Sequence, residues 1–179
     1  MTPPPDDRQD PDALDLDLEP DAPEPPAFEI DVSDSQSRVA VDRAALRALV
    51  ERVLRGEGIE AATISLAIVD DPTIHRVNRD HLDHDEPTDV VTFDLSDEGD
   101  DRLRGELVVS AETAARVAAE IGVEPRDELT LYVVHGLLHL CGCDDLDEES
   151  AAEMRLREDA AMGRLGLANP FRATHRPAP

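Results

Sequence analysis

Two histidines in the stretch HGLLHLCGCDD, His135 and His139, are spaced to hold one metal ion. Residues four apart on an α-helix project from the same face about one turn apart, so both imidazoles can reach a single ion. The surrounding segment is apolar, and buried ring nitrogens without partners would be costly there. Gly142 can end the helix and let the chain fold back, so that Asp144 or Asp145 supplies an oxygen. The spacing therefore predicts a metal site of two imidazoles and one carboxylate.

The residue beside the first histidine argues against the chemistry most often found on such helices. In H-E-x-x-H peptidases the glutamate next to the first histidine acts as the general base. That place is taken by Gly136 here. A peptidase or another metallohydrolase would need a different carboxylate near the metal, and Asp94 and Asp144 are the candidates that could approach in space.

Alternating and helical apolar patterns predict the elements that must position these residues. Strands are expected at Phe28–Ser33, around Ile64–Ile68, at Thr88–Leu95 and at Gly105–Ser110. A helix with apolar residues from Leu46 to Leu54 should end near Gly56, and a second should follow Asp71 as its N-cap and Pro72 as its first residue. Strands flanked by helices predict one α+β domain with a small mixed sheet covered by helices.

Three helices should follow the last strand. The first is expected at Ala111–Ile121, and the second runs from Pro125 to about Leu140. Because the second is apolar nearly all round, it should be buried, and it carries both histidines. The third should begin after Leu146 with Asp147 as its cap, turn Met154 and Ala161 inward, and end near Gly166.

The net charge of −25 is the most unusual global property. Residues 1–27 hold nine acidic residues against Arg8 and eight of the fourteen prolines, a composition that predicts a disordered acidic tail. We expect a globular domain over 28–171 and a C-terminal tail over 172–179. Strong acidity opposes nonspecific binding of nucleic acid, so any RNA role has to overcome it locally. No signal peptide or membrane span is apparent, and two cysteines one residue apart cannot form a disulfide framework, so a cytoplasmic protein is expected.

The sequence resembles the YbeY-type endoribonucleases, the ribosomal RNA maturation factor family. Its signature H-G-x-L-H-L-x-G-[Y]-D-H is matched by HGLLHLCGCDD, except that Asp145 takes the place of the last histidine. NRDHLDHDEPTDVVTF is similar to the family segment N-x-x-[YF]-R-x-[KH]-D-x-P-T-D-V-L-S-F, and GELVVS and RLGLANPF also have counterparts. The resemblance runs in family order from about residue 30 to 171.

Two departures from the family pattern bear on function. The resemblance implies that Asp145 is the third metal ligand, beside His135 and His139, and its negative charge should make the metal a weaker Lewis acid than one held by three histidines. Leu82 occupies the position of the family arginine, which is thought to contact RNA or stabilise charge near the metal. Arg79, three residues earlier on the same helix, is the candidate to substitute for it as a catalytic residue.

The resemblance implies a single-strand-specific endoribonuclease with one zinc ion per chain, acting in ribosomal RNA processing at the 3′ end of small-subunit RNA and in ribosome quality control. Nickel, manganese or iron would also suit two imidazoles and a carboxylate. The expected partners are ribosomal RNA and the small ribosomal subunit, with no DNA and no membrane. The alternative is a ribosome-assembly factor with a structural metal and weak or absent cleavage, and a fourth ligand from Cys141 or Cys143 would favour it.

Four further residues near these motifs have a functional and an ordinary interpretation. His81 and His84 could contact substrate phosphates if protonated, and otherwise they are surface histidines. Cys141 and Cys143 could bind zinc, but small residues that pack beside the end of the helix are the better interpretation.

Overall fold

Four strands form one mixed sheet in the computed structural model, which describes residues 26–82 and 88–170, without the side chain of Leu82. The strands are β1 (Phe28–Asp34), β2 (Ala62–Val69), β3 (Val90–Asp94) and β4 (Leu103–Ser110). Their order is β1-β2-β4-β3, with β1, β2 and β4 parallel and β3 antiparallel to β4. Five helices complete the described part: α1 (Arg43–Gly56), α2 (Asp71–Leu82), α3 (Ala111–Ile121), α4 (Pro125–Leu140) and α5 (Glu148–Leu165). The predicted α+β domain is confirmed.

The two faces of the sheet carry separate apolar clusters, because neighbouring residues of a strand point to opposite faces. On one face Leu107 and Val109 of β4 join the main core, to which α1, α3, α4 and α5 contribute. On the other face Val108 packs with Ile74 of α2 in a smaller cluster. The helix with the histidines and the helix with Arg79 therefore lie on opposite faces of the sheet.

Helix α4 is buried along most of its length, as its composition predicts. Gly136 is the point of closest approach to the sheet: a Cβ atom there would lie 2.7 Å from Leu107 Cδ2 and 3.0 Å from Val90 Cγ2. Glycine is required because the helix backbone rests on strand side chains. The glutamate of a peptidase motif would collide with the sheet and would point away from the metal ligands.

The last two helices begin and end where the sequence predicts. Helix α4 ends at Leu140, and Gly142 follows with φ of 86°, a left-handed conformation that glycine adopts without strain. Asp147 caps α5 through a capping box with Ser150. The carboxylate of Glu57, just after α1, accepts hydrogen bonds from Arg157 (3.2 Å) and Arg164 of α5. These contacts hold α5 against the end of α1.

The start of α2 differs by one residue from the prediction. Helix α2 begins at Asp71, and Asp70 is the residue that caps it, accepting from the backbone N–H of Thr73 at 3.0 Å. The carboxylate of Asp71 accepts instead from the hydroxyls of Ser110 and Thr113. A tertiary contact between α2, the end of β4 and α3 thus replaces the local cap that the Asp-Pro pair suggested.

The predicted tails over 1–27 and 172–179 lie outside the described residues, apart from Pro26 and Ala27. The carbonyl of Ala27 accepts from the backbone N–H of Ala62 at 2.8 Å, which continues the pairing of β1 with β2. The domain limits remain predictions. Among the described helices, none is both long and apolar enough to cross a membrane.

Candidate metal centre

The three predicted ligands come together at the C-terminal end of α4. Single ligand atoms of His135, His139 and Asp145 all lie within 4.8 Å of one another. The Nε2 atoms of the two histidines are 3.0 Å apart, and the Asp145 carboxylate lies 3.8 Å from His135 Nε2 and 3.7 Å from His139 Nε2. The turn at Gly142 brings Asp145 back over the helix end, as expected. Both histidines are partly buried, whereas Asp145 is exposed.

Each imidazole is oriented by a partner on its other nitrogen. His135 Nδ1 lies 2.8 Å from Glu158 Oε1 of α5, and His139 Nδ1 lies 3.0 Å from the carbonyl oxygen of Cys143. A carbonyl oxygen only accepts, so His139 Nδ1 carries the hydrogen and its Nε2 has a free lone pair. An ionised Glu158 places His135 in the same tautomer. Such contacts on the far nitrogen are typical of histidines that bind metals.

This arrangement fits a cation, because two lone pairs cannot face each other at 3.0 Å without a positive charge between them. Either a proton or a metal ion must lie there. Burial alone lowers the pKa of His135, but the hydrogen bond and charge of Glu158, with the charges of Asp89 and Asp145, outweigh it and raise that pKa. The surrounding carboxylates therefore favour a positive charge at this position.

The cysteines do not join the cluster. Within residues 26–82 and 88–170, His135, His139 and Asp145 are the one group of three or more His, Cys, Asp or Glu residues whose ligand atoms come this close. Cys141 and Cys143 are free thiols that pack against the main core. Of the two candidate aspartates, Asp144 accepts instead from the backbone N–H groups of Asp145 (2.7 Å) and Leu146 (3.2 Å).

The candidate RNA-contacting residues lie elsewhere. Arg79 pairs with the neighbouring Asp80 at 3.0 Å, and no hydrogen bond or ion pair in the described part of the chain links it to the three ligands. His81 is exposed and contacts Phe93 edge to face, with 5.6 Å between ring centroids. His84 lies outside the described residues, as does the Leu82 side chain. The catalytic role of Arg79 stays a prediction.

Sequence reasoning missed two glutamates beside the ligands. Glu158 follows Met154, a predicted core residue of α5, by four residues, so its place on the buried face could have been inferred. Glu128 precedes His135 by seven residues, two helical turns, and so lies on the ligand face of α4. Asp94, considered as a base, accepts from the backbone N–H of Ser96 at 3.0 Å in a local turn.

Comparison with known proteins agrees with this geometry. The family model "Endoribonuclease YbeY" matches residues 31–166. The chain belongs to the endoribonuclease YbeY family.

Named relatives in this family match the chain over 117 to 146 residues. A protein named endoribonuclease YbeY from Carboxydothermus hydrogenoformans is 38% identical over 140 residues, covering 76% of this chain and 97% of the relative. Its counterpart from Pelotomaculum thermopropionicum is 40% identical over 146 residues, covering 76% and 96%. The Rhodopirellula baltica protein of that name is 46% identical over 117 residues, covering 64% and 60%.

A solved structure supports the same fold. The solution structure of the Thermotoga maritima protein TM1509 has a TM-score of 0.52 and 24% identity, covering 76% of this chain and 91% of the other. The family model and the relatives, and not this structure, confirm the YbeY-family membership predicted from HGLLHLCGCDD and the PTDVVTF segment.

Proposed function

We propose that this YbeY-family protein is a metal-dependent endoribonuclease that cuts single-stranded RNA. The observation that carries the proposal is the pair of His135 and His139 Nε2 atoms, 3.0 Å apart, with Asp145 beside them. Two histidines and one carboxylate leave a fourth position of a tetrahedral zinc for water. A zinc ion held there would activate water for attack on phosphorus and polarise a phosphoryl oxygen.

The chain's own residues prepare this position. Glu158 and the carbonyl of Cys143 hold both histidines by Nδ1, so each Nε2 is directed to the same point. Asp145 is exposed, so the ligand cluster is open to solvent on its side and an RNA strand can approach it. Arg79 is proposed to contact the RNA, in place of the arginine that Leu82 replaces. We keep zinc as the proposed ion, with nickel, manganese or iron as alternatives.

The biological setting proposed for this activity comes from the family resemblance. It is maturation of ribosomal RNA at the 3′ end of the small-subunit RNA, with a part in ribosome quality control, in the cytoplasm. The small ribosomal subunit is the proposed partner. The assembly-factor alternative needs a closed structural site, and the cysteines that would close it lie outside the ligand cluster, which favours the nuclease.

Metal content and RNA cleavage should be measured together on the wild type and on Asp145→Ala. We expect about one zinc per wild-type chain by mass spectrometry, weaker retention in the variant, and cleavage of single-stranded RNA but not of its duplex. Chelation should stop cleavage, and zinc should restore it. A wild type that cannot be loaded with any divalent metal would refute the nuclease. A fully loaded protein that leaves single-stranded RNA intact would favour the assembly factor.

A further inference from the structure

A cavity of about 330 Å³ adjoins the metal centre, between α4 and α5. His135 and Asp145 line one part of it, and Glu128 and Tyr132 continue the wall along α4. Glu128, Tyr132, His135 and His139 are spaced by four, three and four residues, so they form one row on the helix surface. This row interrupts an otherwise apolar helix. The cavity is therefore an extension of the metal centre along α4.

Glu128 is the unexplained residue of this row. It is only 5% exposed, yet its Oε2 atom has no hydrogen-bond partner, the single such buried side-chain atom in the described part of the chain. Tyr132 lies one helical turn along α4 and lowers the pKa of the carboxyl group, but Oε2 has no partner. Burial raises the pKa of Glu128, and the charges of Asp89 and Glu158 raise it further, against the effect of Tyr132. Oε2 itself is buried, so the Glu128 side chain has to rotate toward the cavity before a ligand there can donate a hydrogen bond to this oxygen, and that bond would then remove the cost.

A second metal ion is not the ligand that the cavity suits. Its carboxylates do not converge: no further group of three ligand atoms within 4.8 Å occurs among the described residues. Asp89 accepts from the backbone N–H of Val90 at 2.9 Å, and Glu158 is bound to His135. A phosphate is also unsuited, because four carboxylates line the cavity against one arginine, Arg155. A neutral group that donates hydrogen bonds is the ligand that remains.

We propose that this cavity binds a nucleobase of the RNA substrate and that Glu128 selects bases with an exocyclic amino group. The inference rests on the proposed function and names the substrate feature that the same site reads. A phosphate would lie at the metal centre, and the base attached to it would enter the cavity.

Distance and surface chemistry support a base over a ribose hydroxyl. Glu128 and His135 are two helical turns apart, about 10 Å along the axis. A base edge extends much farther from its phosphate than the 2′-hydroxyl does. Leu131, Met154 and the Tyr132 ring supply apolar and aromatic surface against which a base can pack. Adenine, cytosine and guanine offer an exocyclic amino N–H to Oε2, whereas the one ring donor of uracil, N3–H, lies between two carbonyl oxygens that would also face the carboxylates.

The test is equilibrium binding of the four 5′-mononucleotides to the zinc-loaded full chain. Mononucleotides have no internucleotide bond, so binding is read without cleavage. At least one of AMP, CMP and GMP should bind about tenfold more tightly than UMP, the value expected for one hydrogen bond to a charged acceptor. Glu128→Gln replaces one oxygen by an amide donor of the same shape and should remove that difference. Glu124→Gln makes the same charge change at an exposed residue of the helix start and should preserve it.

Equal binding of all four nucleotides by the wild type, or no binding, would overturn the proposal. The same conclusion would follow if Glu128→Gln kept the wild-type ratios. The wild-type comparison needs no variant, so it remains decisive if Glu128→Gln unfolds. If the wild type binds nucleotides with base selection but does not cleave RNA, the nuclease proposal fails and the nucleotide-binding site remains. If the wild type cleaves RNA but binds all four nucleotides equally, the nuclease proposal stands and the base-binding proposal fails.

Discussion

Glu158 Oε1 lies 2.8 Å from His135 Nδ1, so a carboxylate of α5 orients a metal-ligand candidate of α4. A second set of contacts, between Glu57 at the end of α1 and Arg157 and Arg164, holds α5 from its other side. The Glu158 contact also fixes which nitrogen of His135 faces His139. The geometry of the candidate metal centre therefore depends on the α4–α5 interface as well as on the HGLLH segment.

Replacing Glu158 should weaken metal binding without removing a ligand. We expect Glu158→Ala to lose about 10- to 100-fold in zinc affinity, the usual effect of removing a partner of a metal-bound histidine. Glu158→Gln keeps an acceptor for His135 Nδ1–H and should lose less. Competition with a chromogenic chelator measures both affinities. Glu149→Ala, at an exposed position of the same helix, is the control and should retain wild-type affinity. Equal affinities for Glu158→Ala and the control would contradict the orienting role.

Asp145→His should shift the pH dependence of RNA cleavage to lower pH. The substitution restores the ligand type of the family signature and replaces an anionic donor by a neutral one, which makes the ion a stronger Lewis acid. The pH–rate profile under single-turnover conditions is the measurement. Asp144→His, one residue earlier in the same loop, should leave the profile in place because Asp144 only supports the turn. A profile that does not move in Asp145→His would show that Asp145 is not a ligand.

The sequence predicts most of this fold because its apolar patterns are regular. The limits of α3 and α4 agree with prediction at both ends, since Ser110, Pro125 and two glycines mark them. The candidate ligand cluster was predictable in part: helical spacing pairs His135 with His139, and the glycine stop returns Asp144 or Asp145 to them. The family resemblance chose Asp145, whose carboxylate lies with the two histidines.

The sequence does not predict which side chains pair when they lie far apart along the chain. Asp71 was expected to cap its own helix, but it accepts from the hydroxyls of Ser110 and Thr113, which are 39 and 42 residues away along the chain. The pairing of Glu158 with His135 and the unmatched oxygen of Glu128 also depend on how α4 meets α5. Acidic residues are so frequent in this chain that no local signal distinguishes those two glutamates from the exposed ones.

Adding one methyl group at Gly136 should destabilise the protein. Its Cβ atom would lie 2.7 Å from Leu107 Cδ2 and 3.1 Å from Thr92 Oγ1, so the helix or the strands must shift. We expect Gly136→Ala to lower the free energy of unfolding by about 1–3 kcal/mol, as overpacked cores do. Urea denaturation of the two proteins gives this value.

Gly163→Ala is the matched control for that experiment. Gly163 lies within α5, and a Cβ atom there would meet nothing within 4 Å. The change should be neutral or stabilise by up to about 1 kcal/mol, because alanine favours the helix. If both variants had the same stability, the close approach of α4 to the sheet would be wrong.

The cysteines should react slowly with alkylating reagents in the folded protein. Burial, with the charge of Glu57, raises the pKa of the Cys141 thiol to about 12, and burial also raises the pKa of Cys143. Because the thiolate is the reactive form, both thiols should react slowly at pH 8, and the rate for Cys141 should still be rising with pH at pH 10. Mass spectrometry after timed iodoacetamide exposure should show each cysteine reacting more than about tenfold slower than in the urea-unfolded chain. Removing zinc with a chelator should leave the folded rates unchanged, since neither thiol is a ligand. A chelator that released a fast-reacting cysteine would mean that the thiol binds the metal, which would close the site and favour the assembly factor over the nuclease.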